Sequence, residues 1–249
     1  MNPATISLII FAGVFAVGLL AMRLRALLPE HHLTSETKDT VKLTMGLVGT
    51  MTALVLGLLV ASAKGNYDAQ KADVISASAR LVAMDRTLSH YGPDAAPARD
   101  QIYRVTENIL ATVWPANPKE AQLAPNAVGN EAYDKIQSLQ PTTDDQRTLK
   151  NQALNQSIQI GEQRWLLFER SGSSISKMLL GVVICWIAIL FVSFGLFAPA
   201  NSTVVAALMI AALCFSGAIF LILELDHPFD GLIRISSDPL KLALAHLGK

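Results

Sequence analysis

A heptad stripe of small and apolar residues runs without a break from the second apolar segment of the chain into its polar middle region. Its members are separated by alternating steps of three and four residues, the spacing of a helix face that packs on another helix. The stripe comprises Gly46, Gly49, Ala53, Leu56, Val60, Ala63, Tyr67, Gln70, Val74, Ala77, Leu81, Met84, Leu88 and Tyr91. Three of the first four members are small, and small residues let helices approach closely in lipid. The stripe therefore predicts a membrane helix that continues as a packed helix in water.

Four stretches of the sequence have the length and apolar composition of membrane-spanning helices. They are residues 6–28, 43–63, 178–200 and 203–223. A spanning helix needs about 20 apolar residues, and the last three stretches contain no charged residue. The first includes Arg23 and Arg25, which can reach the headgroup region. We expect this first stretch to be a retained helix rather than a signal peptide, because no charge precedes it and no A-x-A site follows it.

The fold class predicted from these patterns is an all-α integral membrane protein, since no alternating strand pattern of useful length occurs. We expect four transmembrane helices with a helical soluble domain between spans two and three. The expected parts are a transmembrane hairpin (1–63), the soluble domain (64–177), a second hairpin (178–223), and a C-terminal acidic turn with a short helix (224–249). The long second helix is expected to reach Tyr91, with Gly65-Asn66 as a point where it could end or kink. The last helix could lie on the membrane surface or against the soluble domain.

The distribution of charge gives no support for a nucleic-acid partner and does not decide on which side of the membrane the soluble domain lies. Basic and acidic residues are equally numerous between Lys64 and Lys177, which gives no basis for a nucleic-acid partner. Four spans place both termini and the soluble domain on one side of the membrane. Near the membrane, more basic residues lie on that side than on the opposite side, which favours a cytoplasmic location for it. The basic residues around the first span alone favour the opposite orientation. We favour an inner (plasma) membrane protein with a cytoplasmic soluble domain.

Three carboxylates lie at the end of the fourth span, where charged groups are costly unless paired, hydrated or bound to an ion. Glu224, Asp226 and Asp230 are therefore candidates for binding an ion. Their carboxylates suit a divalent cation such as calcium, but they do not identify the metal. The structural alternative is a capped turn in which Asp226 and Asp230 accept hydrogen bonds from backbone amides. No other cofactor is expected.

The second span carries the candidates for a pore lining or a close helix contact. They are Gly46, Gly49, Thr50, Ala53 and Gly57. The hydroxyls of Thr44, Thr50 and Thr52 could line a polar pathway, or bond back to carbonyls of the preceding turn. We expect no enzyme, because the sequence contains no Gly-rich phosphate loop, G-x-S-x-G, H-E-x-x-H or paired-cysteine metal motif. The adjacent pair His31-His32 is expected to be solvated rather than a metal site.

Two stretches of the sequence resemble a known family. They are LVLGLLVASAKGNYDAQKADVISASARLVAMDRTLSHYG (residues 54–92) and ELDHPFDGLIRISSDPL (residues 224–240). With the layout of two spans, soluble helices and two spans, they resemble the bestrophin-like domain-of-unknown-function family of bacterial membrane proteins. Remoter similarity to bestrophins, which are pentameric anion channels with a pore along the second span and a calcium clasp after the last span, implies a homo-oligomer with cytoplasmic termini. The second span here has no phenylalanine, unlike the aromatic bestrophin neck, and its acids after the last span are scattered.

The function expected from the residues and the resemblance together is an oligomeric ion channel or channel-like pathway along the second span. The alternative is a membrane scaffold that conducts nothing and whose helical domain binds a partner. The partners expected are the lipid bilayer and further copies of the same chain, five if the bestrophin resemblance extends to assembly.

Overall fold

The long second helix of the chain is unbroken. In this computed structural model, α2 spans Ser35–Tyr91, 57 residues in one helix. At 1.5 Å per residue it is about 85 Å long, well beyond the ~30 Å hydrocarbon core of a bilayer. It does not end at Gly65 or Asn66, because one internal glycine costs a helix only about 1 kcal/mol relative to alanine. The predicted passage of one helix from the membrane segment to Tyr91 is confirmed.

The structure describes residues 2–27, 29, 34–115, 128–170, 176–229 and 231–248, and in these ranges all regular secondary structure is helical. The other helices are α1 (Pro3–Leu24), α3 (Ala96–Val113), α4 (Val128–Gln137), α5 (Asp144–Arg170), α6 (Lys177–Phe197), α7 (Ser202–Leu225) and α8 (Asp238–His246). Short 3₁₀ turns follow α1 and precede α3. Four helices are long and apolar enough to cross a membrane, namely Pro3–Leu27, Ser35–Tyr91, Met178–Phe197 and Ser202–Leu225. The predicted all-α membrane fold is therefore confirmed.

Polar caps begin the spanning helices. The side chain of Asn2 accepts from the amide of Ala4 at the start of α1, and that of Asn201 accepts from the amide of Val204 at the start of α7, at 2.8 Å. Such side chains satisfy amide groups that have no partner in the first helical turn. Thr143 caps α5 in the same way, with its Oγ1 3.1 Å from the amide of Gln146.

The chain forms two compact units. Unit 1 consists of Met1–Gly65 and Ser174–Asp226, and unit 2 of Asn66–Ser173 and His227–Lys249. Each unit is built from two separate stretches of sequence. Unit 1 contains the four apolar segments, and unit 2 contains the amphipathic helices together with the C-terminal residues.

In unit 1, helices α1 and α6 approach so closely at Gly18 and Gly195 that no side chain fits between them. A Cβ atom at Gly195 would overlap the carbonyl oxygen of Gly18 and lie 2.7 Å from the Cβ of Ala21. Close backbone approach at small residues is a common way for helices to associate in lipid, where packing and not water expulsion supplies the energy. No sequence pattern singles out this pair, because small residues occur on every apolar segment.

In unit 2, one apolar core joins α2, α3, α4, α5 and α8. Its buried members include Leu81, Met84, Leu88, Ile102, Ile136, Ala153, Leu240 and Leu247. The last two belong to α8 and the residue that ends it, so the final helix packs against the soluble domain. Packing against the soluble domain is one of the two positions that the sequence left open.

The heptad stripe follows the buried face of α2 in unit 2, but the two diverge in the membrane segment. Gln70, Val74, Leu81, Met84, Leu88 and Tyr91 are buried. In the membrane segment Ala53 is exposed, and Thr52 and Leu59 are the buried residues. A straight helix drifts about 20° per heptad from a 3.5-residue repeat. Buried Thr52, Ala63, Val74 and Asp85 recur every eleven residues, so the buried face follows the natural pitch of the helix.

A buried ion pair ties α2 to α3 and to the C-terminal residues of unit 2. Arg99 Nε lies 2.7 Å from Asp85 Oδ1, and Arg99 Nη2 lies 2.9 Å from Asp85 Oδ2. The amide of Gly248 is 3.4 Å from the same Oδ2. Hydrogen bonding to Asp85 raises the pKa of Arg99, with a smaller opposing effect of burial and a further increase from the charge of Asp85. The carboxylate therefore keeps the guanidinium charged inside the unit.

Candidate functional site: the membrane part of α2 and the end of α7

The membrane part of α2 presents two different exposed surfaces. One is the small-residue stripe, Gly46, Thr50, Ala53 and Gly57, all of them exposed. The other is the leucine stripe, Leu43, Leu47, Met51, Leu54 and Leu58, each at least half exposed. Successive residues turn by about 100° around a helix, so the two stripes lie side by side and opposite the buried Thr52 and Leu59.

The small-residue stripe is open along the length of the single chain. Among the described residues, no atom of a neighbouring segment lies within 4 Å of a Cβ built on Gly46, Gly49 or Gly57. Gly49 is half-buried, at the border between the stripe and the buried face. The close helix contact seen inside the chain is that of Gly18 with Gly195, so the glycines of α2 remain accessible to a second copy or to a pathway.

The threonine hydroxyls of α2 bond back to their own helix. Thr44 donates to the carbonyl of Thr40 at 2.9 Å, Thr50 to that of Gly46 at 2.9 Å, and Thr52 to that of Val48 at 2.7 Å. This is the local bonding that the sequence left as one alternative. A hydroxyl that donates in this way still has lone pairs to accept with. Thr50 is exposed and can offer its oxygen to another group, whereas Thr52 is fully buried.

The acidic end of α7 is buried. Glu224 is 1% exposed and Asp226 is 5% exposed, although both follow a hydrophobic span. Buried carboxyl groups need a counter-ion, hydrogen bonds or a proton. Residues two apart project from different sides of a helical backbone, so these two groups do not point to one spot. Asp230 and the pair His31-His32 lie outside the described residues, and within the described residues no group of three or more His, Cys, Asp or Glu could hold a metal ion.

The segment that follows α7 anchors in unit 2 through an aromatic contact that the sequence did not predict. Trp114 Nε1 donates to the carbonyl of Ile235 at 2.8 Å, and its ring meets that of Phe229 edge-on with centroids 5.7 Å apart. The turn is closed by a hydrogen bond from the amide of Ile235 to the carbonyl of Pro228, also 2.8 Å. Phe229 therefore packs against other residues of unit 2. In the sequence it lies between Asp226 and Asp230.

Comparison with known proteins identifies a family and several solved structures that this chain resembles. The family model of the bestrophin-like domain matches residues 11–240. No curated protein matches the sequence. The chain is similar to crystal structures of two point mutants of a bacterial bestrophin homologue from Klebsiella pneumoniae, with TM-scores of 0.68 and 0.67 and 11% identity. These alignments cover 96% and 97% of this chain and 96% of each of those chains.

A crystal structure of a variant membrane protein is similar as well, with a TM-score of 0.65, 11% identity and 96% coverage of both chains. At such identities the structural similarity concerns the fold alone. The family match rests on the sequence and extends over most of the chain. Together with the four membrane-spanning helices, it establishes that this membrane protein belongs to the bestrophin-like family.

Proposed function

We propose that this protein is the subunit of a homo-oligomeric ion channel in which α2 borders the permeation pathway. The observation that carries the proposal is the open small-residue stripe of α2. An exposed glycine weakens a helix by roughly 1 kcal/mol relative to alanine, and a helix that faces only lipid gains nothing in return. Glycines at 46, 49 and 57 are explained if another helix or a narrow pathway lies against them.

In the proposed assembly, the small-residue stripe faces the neighbouring copies around the pathway. Close approach of the α2 helices there requires small side chains, and Thr50 adds an oxygen to an otherwise apolar wall. The family membership favours a ring of copies, and the resemblance to bestrophins favours five. The same resemblance supports an inner-membrane protein whose N-terminus, unit 2 and C-terminus lie on the cytoplasmic side.

The replacement Ala53→Leu is expected to lower ion flux by about fivefold or more. A leucine at the closest approach overpacks the contact at a cost of about 1–3 kcal/mol, and each 1.4 kcal/mol is a factor of ten. The purified protein is reconstituted into liposomes, and efflux of chloride and of potassium is followed separately. Native mass spectrometry of the same sample gives the number of copies.

Ala207→Leu is the matched control, because Ala207 is an exposed alanine of α7 away from both stripes of α2. It is expected to conduct and assemble as the original protein does. Equal flux and assembly in the Ala53→Leu and Ala207→Leu proteins would contradict the proposed position of α2. Intact oligomers that conduct neither ion would favour the non-conducting scaffold instead.

We further propose that Glu224 and Asp226 influence permeation as buried charges at the end of a span. Glu224→Gln and Asp226→Asn keep the shape of each side chain and remove its charge. We expect either change to alter the flux, or its dependence on added calcium, by about threefold or more while the oligomer persists. Glu169→Gln, at an exposed position of α5, is the control. Loss of folding with unchanged flux in the surviving protein would favour the capped-turn role.

A further inference from the structure

A short loop of unit 2 follows the fourth span and is closed on itself. The amide of Ile235 donates to the carbonyl of Pro228 at 2.8 Å, and the amide of Gly231 donates to the carbonyl of His227 at 3.2 Å. Phe229 and Ile235 hold the two ends of the loop, because their side chains are only 8% and 2% exposed. The loop therefore has a base that packing fixes within unit 2.

The far end of this loop is apolar and exposed. Leu232 is 81% exposed and Ile233 is 38% exposed, although the loop is held at both ends. Arg234, which follows them, is exposed as well. We call these three residues the tip. Apolar side chains of this size gain free energy when they leave water, and a cation beside them suits a surface that is anionic above an apolar layer.

Two connections along the chain place the base of the loop close to the membrane surface. Pro228 is three residues after Leu225, the last residue of α7, so it lies at most about 11 Å from the end of that span. The base also packs in one cluster with Val74 and Tyr67 of α2. Along that helix, Tyr67 lies about 6 Å beyond Ala63, where the apolar segment ends. The headgroup layer is about 5–7 Å thick, so the base lies at its outer edge.

The residues around the base are those of a membrane interface. Tyr67 and Trp114 both pack against the buried cluster that holds Phe229 and Ile235, and Tyr and Trp are enriched at the level of the headgroups. A stable contact between proteins takes about 20–30 residues from each partner, whereas the tip offers three. The spans already hold the tip near the membrane, so a contact of three side chains is sufficient there.

We propose that this tip inserts into the lipid headgroup layer. Leu232 and Ile233 lie at the boundary with the acyl chains, and Arg234 lies at the phosphates of anionic lipids. A guanidinium group suits this position, because it donates several hydrogen bonds to phosphate oxygens at once. The contact attaches unit 2 to the membrane surface at a point outside the four spans. It does not depend on ion conduction, so this proposal and the proposed channel can fail separately.

The test places a fluorophore at the tip of the full chain in lipid nanodiscs. Cys185→Ala and Cys214→Ala remove the two native cysteines, and Leu232→Cys then provides the attachment site for the fluorophore NBD. The phospholipids carry a nitroxide quencher either on the headgroup or near the end of the acyl chain. We expect the headgroup nitroxide to quench the fluorophore at least about threefold more strongly than the acyl-chain nitroxide.

Leu242→Cys is the matched control, because Leu242 is another exposed leucine of unit 2, at 66%. It belongs to α8, and Gly248, just after that helix, bonds to Asp85 of α2. Asp85 lies about 33 Å beyond Ala63 along α2, well past the headgroup layer. We expect headgroup quenching at this position to be at least about threefold weaker than at Leu232. Equal quenching at the two positions, in proteins whose circular dichroism is unchanged, would overturn the proposal.

The role of Arg234 is tested through the charge of the lipid. Replacing part of a neutral phosphatidylcholine bilayer with anionic phosphatidylglycerol is expected to increase headgroup quenching at position 232 by about twofold or more. Arg234→Gln is expected to abolish this increase. Lys241→Gln, which removes an exposed cation of α8, is expected to retain it. An increase that survives Arg234→Gln would contradict the contact with anionic headgroups.

Contact with a second copy is a different outcome of the same experiment. Unlabelled Leu232→Cys protein would then form disulfide-linked dimers on oxidation, and neither nitroxide lipid would quench the labelled protein. That combination would overturn the proposal and assign the tip to an interface between copies. The absence of both quenching and dimers would mean that the tip lies in water, and would overturn the proposal as well.

Discussion

Leu81→Asp is expected to unfold unit 2. Leu81 is 5% exposed in the core that joins the five helices of this unit. Removing a buried leucine costs about 2–5 kcal/mol, and burying a carboxyl group without a partner costs several more. The sum is comparable with the whole stability of a typical domain, about 5–15 kcal/mol. Thermal unfolding in detergent, followed by circular dichroism and limited proteolysis of α3 to α5, measures the effect.

Arg80→Asp is the control for this change, since it places the same carboxylate one position earlier on the helix. Arg80 is half-buried and donates a hydrogen bond to Gln159. Its replacement is expected to cost about 1 kcal/mol or less, as is usual near the surface. Similar losses in both variants, or none in Leu81→Asp, would mean that the stripe of α2 is not the centre of the core.

Asp85→Ala is expected to destabilise unit 2 by about 3 kcal/mol, because it leaves the guanidinium of Arg99 without its carboxylate. Arg99 is 18% exposed at its side chain, so some hydration limits the loss. The pKa of Arg99 is raised in the folded chain, and a raised pKa stabilises the fold at every pH below that of the unfolded arginine. The contribution is therefore constant between about pH 5 and 9 and is lost as the pH rises into strong alkali.

The double replacement Asp85→Leu with Arg99→Met distinguishes loss of a charge partner from loss of packing. It removes both charges and restores apolar volume, and similar replacements of buried pairs are neutral or stabilising. The urea midpoints of the single and double variants are compared. The comparison requires that the slope of the unfolding free energy against urea concentration is the same in each variant. A double variant as unstable as Asp85→Ala would show that shape at this position, and not the unpaired charge, controls the stability.

A feature of this fold could be predicted from the sequence when it depends on residues that are close together in the chain. The apolar runs depend on neighbours in sequence, and the four spans expected from them are confirmed. In the membrane part of α2 the predicted stripe departs from the face that is buried within the single chain, because the helix keeps its natural pitch and not a strict heptad. The packing of this part of the stripe on another helix stays a prediction. The Gly18–Gly195 crossing and the bond from Trp114 to Ile235 join residues more than a hundred positions apart, and no local pattern reports them.

The candidate site was predictable in residue type but not in arrangement. Small residues and hydroxyls identified the second span, yet only the structure separates exposed Thr50 from buried Thr52. The role of Glu224 and Asp226 stays a prediction, since burial fits both an ion site and a structural turn.

The order in which the chain leaves the ribosome has a consequence for unit 2. Its core needs Phe229, Ile235, Leu240 and Leu247, and these follow α6 and α7 in sequence. Helices α3 to α5 are therefore synthesised long before the residues that complete their core, and the last two spans must be made in between. During this interval apolar surface stays uncovered, the condition under which nascent chains engage chaperones or aggregate. A chain that terminates prematurely after α7 would never cover that surface. Such truncated chains are therefore expected to be degraded by proteases.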